Sequence, residues 1–376
     1  MHPQRRLFWF RRLALAGALL AAAVVVLGAW VRLTDAGLGC PDWPGCYGHI
    51  YPNSGHAYPS SGTAHPGRAY ADTHSSAETP AGAETPAGRQ FSKALHEMIH
   101  RYFASTLGVV IVTLLVWAVA FRRDRGQPLM PAALLFVVVC LQGALGALTV
   151  TLLLKPLIVT AHLLGGLTTL GLLWWLSLTP EARQLTERET ALRKFALVGL
   201  AALILQIALG GWTSSNYAAV ACPDFPTCQQ SWWPRMDYRD AFVLWRGIGV
   251  DYEGGVLANP ARVAIHFTHR LGALAAGSIL IILGVMAAAR AASPRVKLAG
   301  CLLVLAVLLQ ISIGVATVHW GVLLPLATLH NAGAAFLVIC MVTLLRALWP
   351  ASGGPASGEP TSAVSMVPLP RAHPSR

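Results

Sequence analysis

The chain is 376 residues long, 55% hydrophobic and only 12% charged, with a formal net charge of +12. That composition, arranged in long uncharged runs, is the composition of a polytopic membrane protein. The positive charge does not imply a nucleic-acid partner, because no basic stripe interleaved with aromatics lies on a soluble segment.

A bilayer core of about 30 Å takes roughly 20 apolar residues as a helix. Runs of that size predict spans at 12–31, 102–121, 130–152, 157–179, 195–214, 263–289, 298–318 and 323–348. Arg5, Arg6, Arg11 and Arg12 precede the first span, and Arg122, Arg123 and Arg125 follow the second. Arg183, Arg188, Arg193 and Lys194 lie between the fourth and fifth, and Arg290, Arg295 and Lys297 between the sixth and seventh. The positive-inside rule makes that side cytoplasmic, with both termini on it. An Arg-rich flank and an apolar centre give the first run the look of a secretory signal. Its repeat partner at 195–214 is an interior span, so the first run is read as a retained helix. The expected fold class is all-α, with eight transmembrane helices in two pseudo-symmetric four-helix bundles. The predicted division is 1–180 (with a long outer loop over 32–100), a cytoplasmic linker at 181–194, 195–348, and a disordered tail at 349–376.

The two halves follow from repetition. Cys40-Pro-Asp-Trp-Pro-Gly-Cys46 returns as Cys222-Pro-Asp-Phe-Pro-Thr-Cys228, with Gly28 and Gly210 each twelve residues upstream. Glu97-Met-Ile-His100-Arg101 returns as His266-Phe-Thr-His269-Arg270. Gln142 and Gly146 stand twenty and sixteen residues before His162, as Gln310 and Gly314 do before His330. Both cysteine phrases fall outside the membrane, where disulfides persist. Cys140, Cys301 and Cys340 fall inside spans and read as small packing residues. The middle of the first outer loop, about 52–90, is rich in Ser, Gly, Ala, Pro and His and is expected to be mobile. His49, His56, His65 and His74 lie within or beside it and read as a solvated loop rather than a metal collector. In the second outer loop Trp232 and Trp233 suit the bilayer interface. The Gly-rich stretch from Trp245 to Gly255 opens no helix after a strand, so it is no phosphate loop.

His100, His162, His269 and His330 sit near the outer ends of the even-numbered spans, at similar depth. Two neutral imidazoles facing each other within each half suit the axial positions of a haem iron. Interhelical hydrogen bonding is the other reading for any single one. Four at matching depth in duplicated contexts favour ligation, because ionisable groups inside a membrane are costly. Zinc is disfavoured, since no carboxylate or cysteine completes a tetrahedral set. His319 aligns with Thr151 and reads as interfacial. The halves differ at Glu97 against His266, one helical turn before the ligands. The carboxylate reads as a proton carrier or charge stabiliser, or else as a helix-start residue favourable to the dipole. Arg101 and Arg270 read as contacts to haem propionates or to lipid headgroups.

Val31-Arg-Leu-Thr-Asp-Ala-Gly-Leu-Gly-Cys40, the Glu97–Arg101 phrase, Leu141-Gln142 with Gly146, Thr149-Val150 and His162, and Ile265–Arg270 together resemble haem A synthase, over nearly all of 12–348. The resemblance implies an oxidoreductase that converts the C8 methyl of haem O to a formyl group by successive hydroxylations. The product is haem A for cytochrome c oxidase. It further implies substrate haem O between His100 and His162, with Glu97 as the catalytic carboxylate, and a haem B cofactor between His269 and His330. Disulfides Cys40–Cys46 and Cys222–Cys228 fit the form of that family with bridged outer loops. The cell inner membrane is the expected location, and haem O synthase and cytochrome oxidase assembly are the expected partners. No nucleic acid is expected, and a homo-oligomer is left open. A di-haem b-type electron-transfer cytochrome and a non-catalytic haem carrier are the alternative functions.

Overall fold

A computed structural model describes residues 2–52, 86–124 and 126–349. The segment 53–85, which holds His56, His65 and His74, lies outside the described residues, as do Arg125 and the tail from Pro350. The described chain is helical: α1 (Pro3–Leu33), α2 (Pro86–Ala120), α3 (Leu129–Thr151), α4 (Pro156–Ser177), α5 (Glu187–Ser215), the single turn α6 (Tyr238–Ala241), α7 (Asn259–Arg290), α8 (Pro294–His319) and α9 (Leu324–Ala347). All except α6 are long and apolar enough to cross a membrane. Val109, Val116, Leu205, Leu274 and Leu305 point outward with 62–69% of their surface exposed. Apolar side chains arranged that way suit lipid rather than water. The protein is a multi-pass membrane protein.

Local chemistry sets the helix starts. Pro3, Pro156 and Pro294 open α1, α4 and α8, at the position where a missing N–H costs nothing. Thr186 and Glu189 form a capping box at α5, satisfying two otherwise orphaned donors. Glu189 is wholly buried and does more. It accepts from Arg183 at 2.7 Å and from the backbone N–H groups of Ala292 and Ser293 at 3.2 and 3.3 Å. The linker is thereby pinned to the turn between α7 and α8.

Two closed rings of helices result. In the first, α1 packs on α2 and α4, and α3 packs on the same two. In the second, α7 packs on α5 and α8, and α9 closes the ring against α8 and α5. Contacts of α1 with α9, and of α4 with α5 and α9, join the rings. One apolar core runs through both, from Phe10, Leu170 and Leu173 to Leu283, Met341 and Leu344.

Helix boundaries depart from the apolar runs in one instructive place. α2 starts at Pro86, sixteen residues before the run at 102. Its first turns carry Gln90, Lys93, Glu97 and Arg101, so hydropathy does not detect them. They are held by tertiary packing, since Ala94 and Met98 are buried against Cys40 and Cys46. Among the free cysteines, Cys340 is buried in the core as expected, whereas Cys140 and Cys301 lie on the outer surface of their helices.

Candidate functional site

Each of the four histidines stands on the second helix of an adjacent pair, and each faces a glycine on the first. A β-carbon on Gly28 of α1 would lie 3.0 Å from His100 Cε1, and one on Gly210 of α5 would lie 3.2 Å from His269 Cε1. On α8 and α3, Gly314 would approach His330 Cε1 to 3.0 Å and Gly146 would approach His162 Cε1 to 3.5 Å. Ordinary carbon contacts are about 3.5–4.0 Å, so three of these glycines clear a slot that an alanine would intrude upon. His100 and His162 are close enough to interact electrostatically within the first ring, as are His269 and His330 within the second.

The donor set fits a haem. Nδ1 of His100, His162 and His330 is buried without a hydrogen-bond partner among the described residues, unusual for buried polar atoms. Two imidazoles per ring, set on facing helices, match the axial demand of one iron. Among the described residues no group of three or more His, Cys, Asp or Glu side chains is placed to hold a bare ion.

Above each pair lies a disulfide-closed ring. Cys40–Cys46 and Cys222–Cys228 are bridged, with Cα atoms 4.8 and 4.7 Å apart. Asp42 accepts from the backbone N–H of Tyr47 (2.6 Å) and Gly48 (2.8 Å), two successive residues with positive φ. Asp224 does the same for Gln229 (2.6 Å) and Gln230 (3.0 Å). The Thr227 hydroxyl, with those backbone donors, holds the Asp224 carboxyl below its ordinary pKa. The Pro-Asp of each phrase is thus the staple of a left-handed turn.

The arginines that follow His100 and His269 go to these rings. Arg101 Nη1 donates to the carbonyls of Asp42 (3.0 Å), Pro44 (3.3 Å) and Gly45 (2.7 Å). Arg270 donates to the carbonyls of Thr227 (2.8 Å) and Cys222 (2.9 Å). Its Nε is buried and has no partner among the described residues.

The two rings differ where the sequence differs. Glu97 is 4% exposed, and its carboxylate accepts from the Cys40 backbone N–H at 2.9 Å and from Arg101 Nη2 at 2.5 Å. The equivalent His266, 5% exposed, places Nδ1 3.1 Å from the Ala218 carbonyl. One half therefore buries a carboxylate one turn before its paired histidine, and the other an imidazole.

Contacts that sequence reasoning missed tie the second outer loop across the first ring. Lys155, 1% exposed at the start of α4, donates to the Gly247 carbonyl and lies 3.4 Å from the centre of the Trp245 ring. Tyr252 N–H donates to the Leu153 carbonyl (3.2 Å), and Lys93 pairs with Glu253 (3.3 Å). A lone lysine in the apolar stretch between α3 and α4 was the available signal. Trp232 and Trp233 are each 72% exposed, and His319 is exposed beside Trp320.

The fold and site define a class: a multi-pass helical membrane protein with two half-buried histidine pairs under disulfide-closed caps. Comparison with known proteins narrows it. The profile of the cytochrome oxidase assembly protein family matches residues 11–342, and the chain belongs to that family. It is 38% identical to the Heme A synthase of Shewanella oneidensis over 92% of this chain and 97% of that one. It is 30% identical to the Heme A synthase of Sphingopyxis alaskensis, over 89% and 90%, and 29% identical to that of a Caulobacter species, over 87% and 92%.

Proposed function

We propose that the chain is a haem A synthase that oxidises the C8 methyl group of haem O to a formyl group. The observation that carries this reading is the asymmetry one helical turn before the paired histidines, a buried Glu97 in one half and His266 in the other. Relatives named Heme A synthase align along nearly their whole length, and support it.

In this reading the half 1–180 is the reacting one. His100 and His162 hold the iron of the substrate, haem O. Glu97 is fixed by Cys40 N–H and Arg101, so its carboxylate is already oriented when substrate arrives. Its role is to carry a proton or offset positive charge as the methyl group is oxidised, work typically worth about 10²–10⁴ in rate. Two hydroxylations of one carbon, each adding one oxygen and withdrawing two electrons that an external acceptor must take up, give a geminal diol, whose loss of water leaves the aldehyde. The half 195–348 holds haem B through His269 and His330, and that group supplies one-electron chemistry when bound. Arg101 and Arg270 keep the disulfide-closed caps seated, excluding water, with Arg270 Nε left to face a propionate.

The arginine-rich end faces the cytoplasm, so the cysteine caps lie outside the inner membrane. A haem O synthase must supply the substrate, and cytochrome oxidase assembly consumes the product. Co-expression with a haem O synthase, followed by pigment extraction, tests the proposal. Haem A should appear; an unchanged haem O pool would instead favour an electron-transfer cytochrome or a carrier.

A further inference from the structure

Three of the four helix pairs share a device that the fourth lacks. Gln142, Gln206 and Gln310 each stand four residues before the glycine that faces a histidine. Each side-chain amide donates to the backbone carbonyl of that histidine: Gln142 to His162 at 2.8 Å, Gln206 to His269 at 3.1 Å, Gln310 to His330 at 2.9 Å. A second glycine makes the reach possible. Gly165, Gly272 and Gly333 lie three residues after their histidines, and a β-carbon on any of them would collide with the glutamine amide. In the second ring the amide also meets the imidazole, at 3.1 Å for His269 and 3.4 Å for His330. The Oε1 atom of all three glutamines is buried with no partner among the described residues, so each keeps an acceptor in reserve.

Both parts of the device are missing around His100. Val24 occupies the glutamine position on α1, and Phe103 the second-glycine position on α2. Val24 has no side-chain donor, and among the described residues no side chain donates to the His100 carbonyl. The His100 ring interacts instead with the backbone carbonyl of Val24 on α1. Glutamine and glycine are lost together, as expected if each exists for the other.

We propose that Gln142, Gln206 and Gln310 are positioning residues that lock three of the four iron-binding histidines. His100, left unlocked, is the ligand that releases iron when substrate haem enters and product haem leaves the first ring. The inference rests on the reading of His100 and His162 as the substrate site. It explains why a cofactor can stay bound for many turnovers in one ring while haem passes through the other. In the second ring both ligands are clamped through the backbone and both imidazoles meet a glutamine amide; in the first only His162 is clamped, and no glutamine amide meets either imidazole. The clamp ties the backbone of a ligand-bearing helix to its neighbour, so without one the turn of α2 at His100 can shift against α1 with no glutamine bridge to break.

The test measures haem release from the full-length protein in lipid nanodiscs, loaded with ferric haem O and mixed with excess apomyoglobin. Val24→Gln with Phe103→Gly builds the missing clamp and should slow release from the first ring by about fivefold, the worth of one membrane interhelical hydrogen bond. Gln142→Leu removes the existing clamp and should speed release by a similar factor. Gln206→Leu should leave that rate alone but alter the low-spin electron paramagnetic resonance signal of the second ring, a change mere destabilisation would not produce. Where the double variant fails to fold, Gln142→Leu decides. Release rates unchanged in a loaded, low-spin first ring overturn the inference alone. A wild type that holds no haem at His100 and His162 overturns the substrate-site reading and the inference with it.

Discussion

Replacing the histidine-facing glycines one at a time by alanine should produce a graded series whose order is fixed by distance. Two effects oppose each other. Alanine in place of glycine stiffens a helix and stabilises it by about 0.5–1 kcal/mol. A new methyl group forced into a packed slot costs about 1–3 kcal/mol. At Gly28 and Gly314 the new carbon would meet imidazole carbon at 3.0 Å, so the ring must retreat by about 0.5–1 Å to reach ordinary contact. The crowding wins there, with a net loss of about 1–2 kcal/mol or roughly five- to thirtyfold in haem retention. Gly210, at 3.2 Å, should lose less. At Gly146 the distance is 3.5 Å, already ordinary contact, so the helix gain wins and Gly146→Ala should be neutral or slightly stabilising. Haem content and thermal midpoint of each purified variant read the series. If Gly146→Ala loses haem as badly as Gly314→Ala, the glycines are not clearing slots for imidazoles and the site geometry is wrong.

Three further outcomes follow from the same contacts. His269→Ala and His330→Ala should each abolish the low-spin haem B signal, because one imidazole cannot sustain bis-histidine ligation; a normal low-spin spectrum in the double variant would contradict the cofactor assignment. Alkylation of denatured but unreduced protein should leave Cys40, Cys46, Cys222 and Cys228 unlabelled in mass spectra while Cys140, Cys301 and Cys340 react, and labelling of all four loop cysteines would refute both bridges. Lys155→Met should loosen the second outer loop, seen as faster amide exchange over 245–255, since the mutation removes both the donor to Gly247 and the cation on Trp245. Unchanged exchange there would mean that Lys155 does not hold the loop.

The repeated phrases made the two rings, the histidine pairs and the cysteine caps legible, because duplication marks residues that serve the same geometry twice. The start of α2 was not legible. Gln90 to Arg101 is polar by hydropathy and becomes helical through packing against the cysteine ring. Gln206 escaped notice for a topological reason. In the pairs α3–α4 and α8–α9 the glutamine stands twenty residues before its histidine, but the outer loop between α5 and α7 stretches that interval to sixty-three. Lys155 and Gly247 are ninety-two residues apart, and nothing local in either segment announces the contact. By sequence, Arg101 and Arg270 suit a ligand or lipid anion, because guanidinium groups pair with anions. Their engagement by the carbonyls of the cysteine rings depends on a turn conformation that composition does not reveal.

The central claim is that the two rings differ in task because Glu97 stands where the other ring has His266. The most direct measurement is the ratio of haem A to haem O extracted after co-expression of Glu97→Gln with a haem O synthase. Glutamine keeps the size of the side chain and can still accept from Cys40 N–H, but it removes the charge. The account predicts a collapse of haem A, with haem O or a hydroxylated intermediate in its place, while the low-spin haem at His269 and His330 persists. Haem A at the wild-type level in that variant would contradict it.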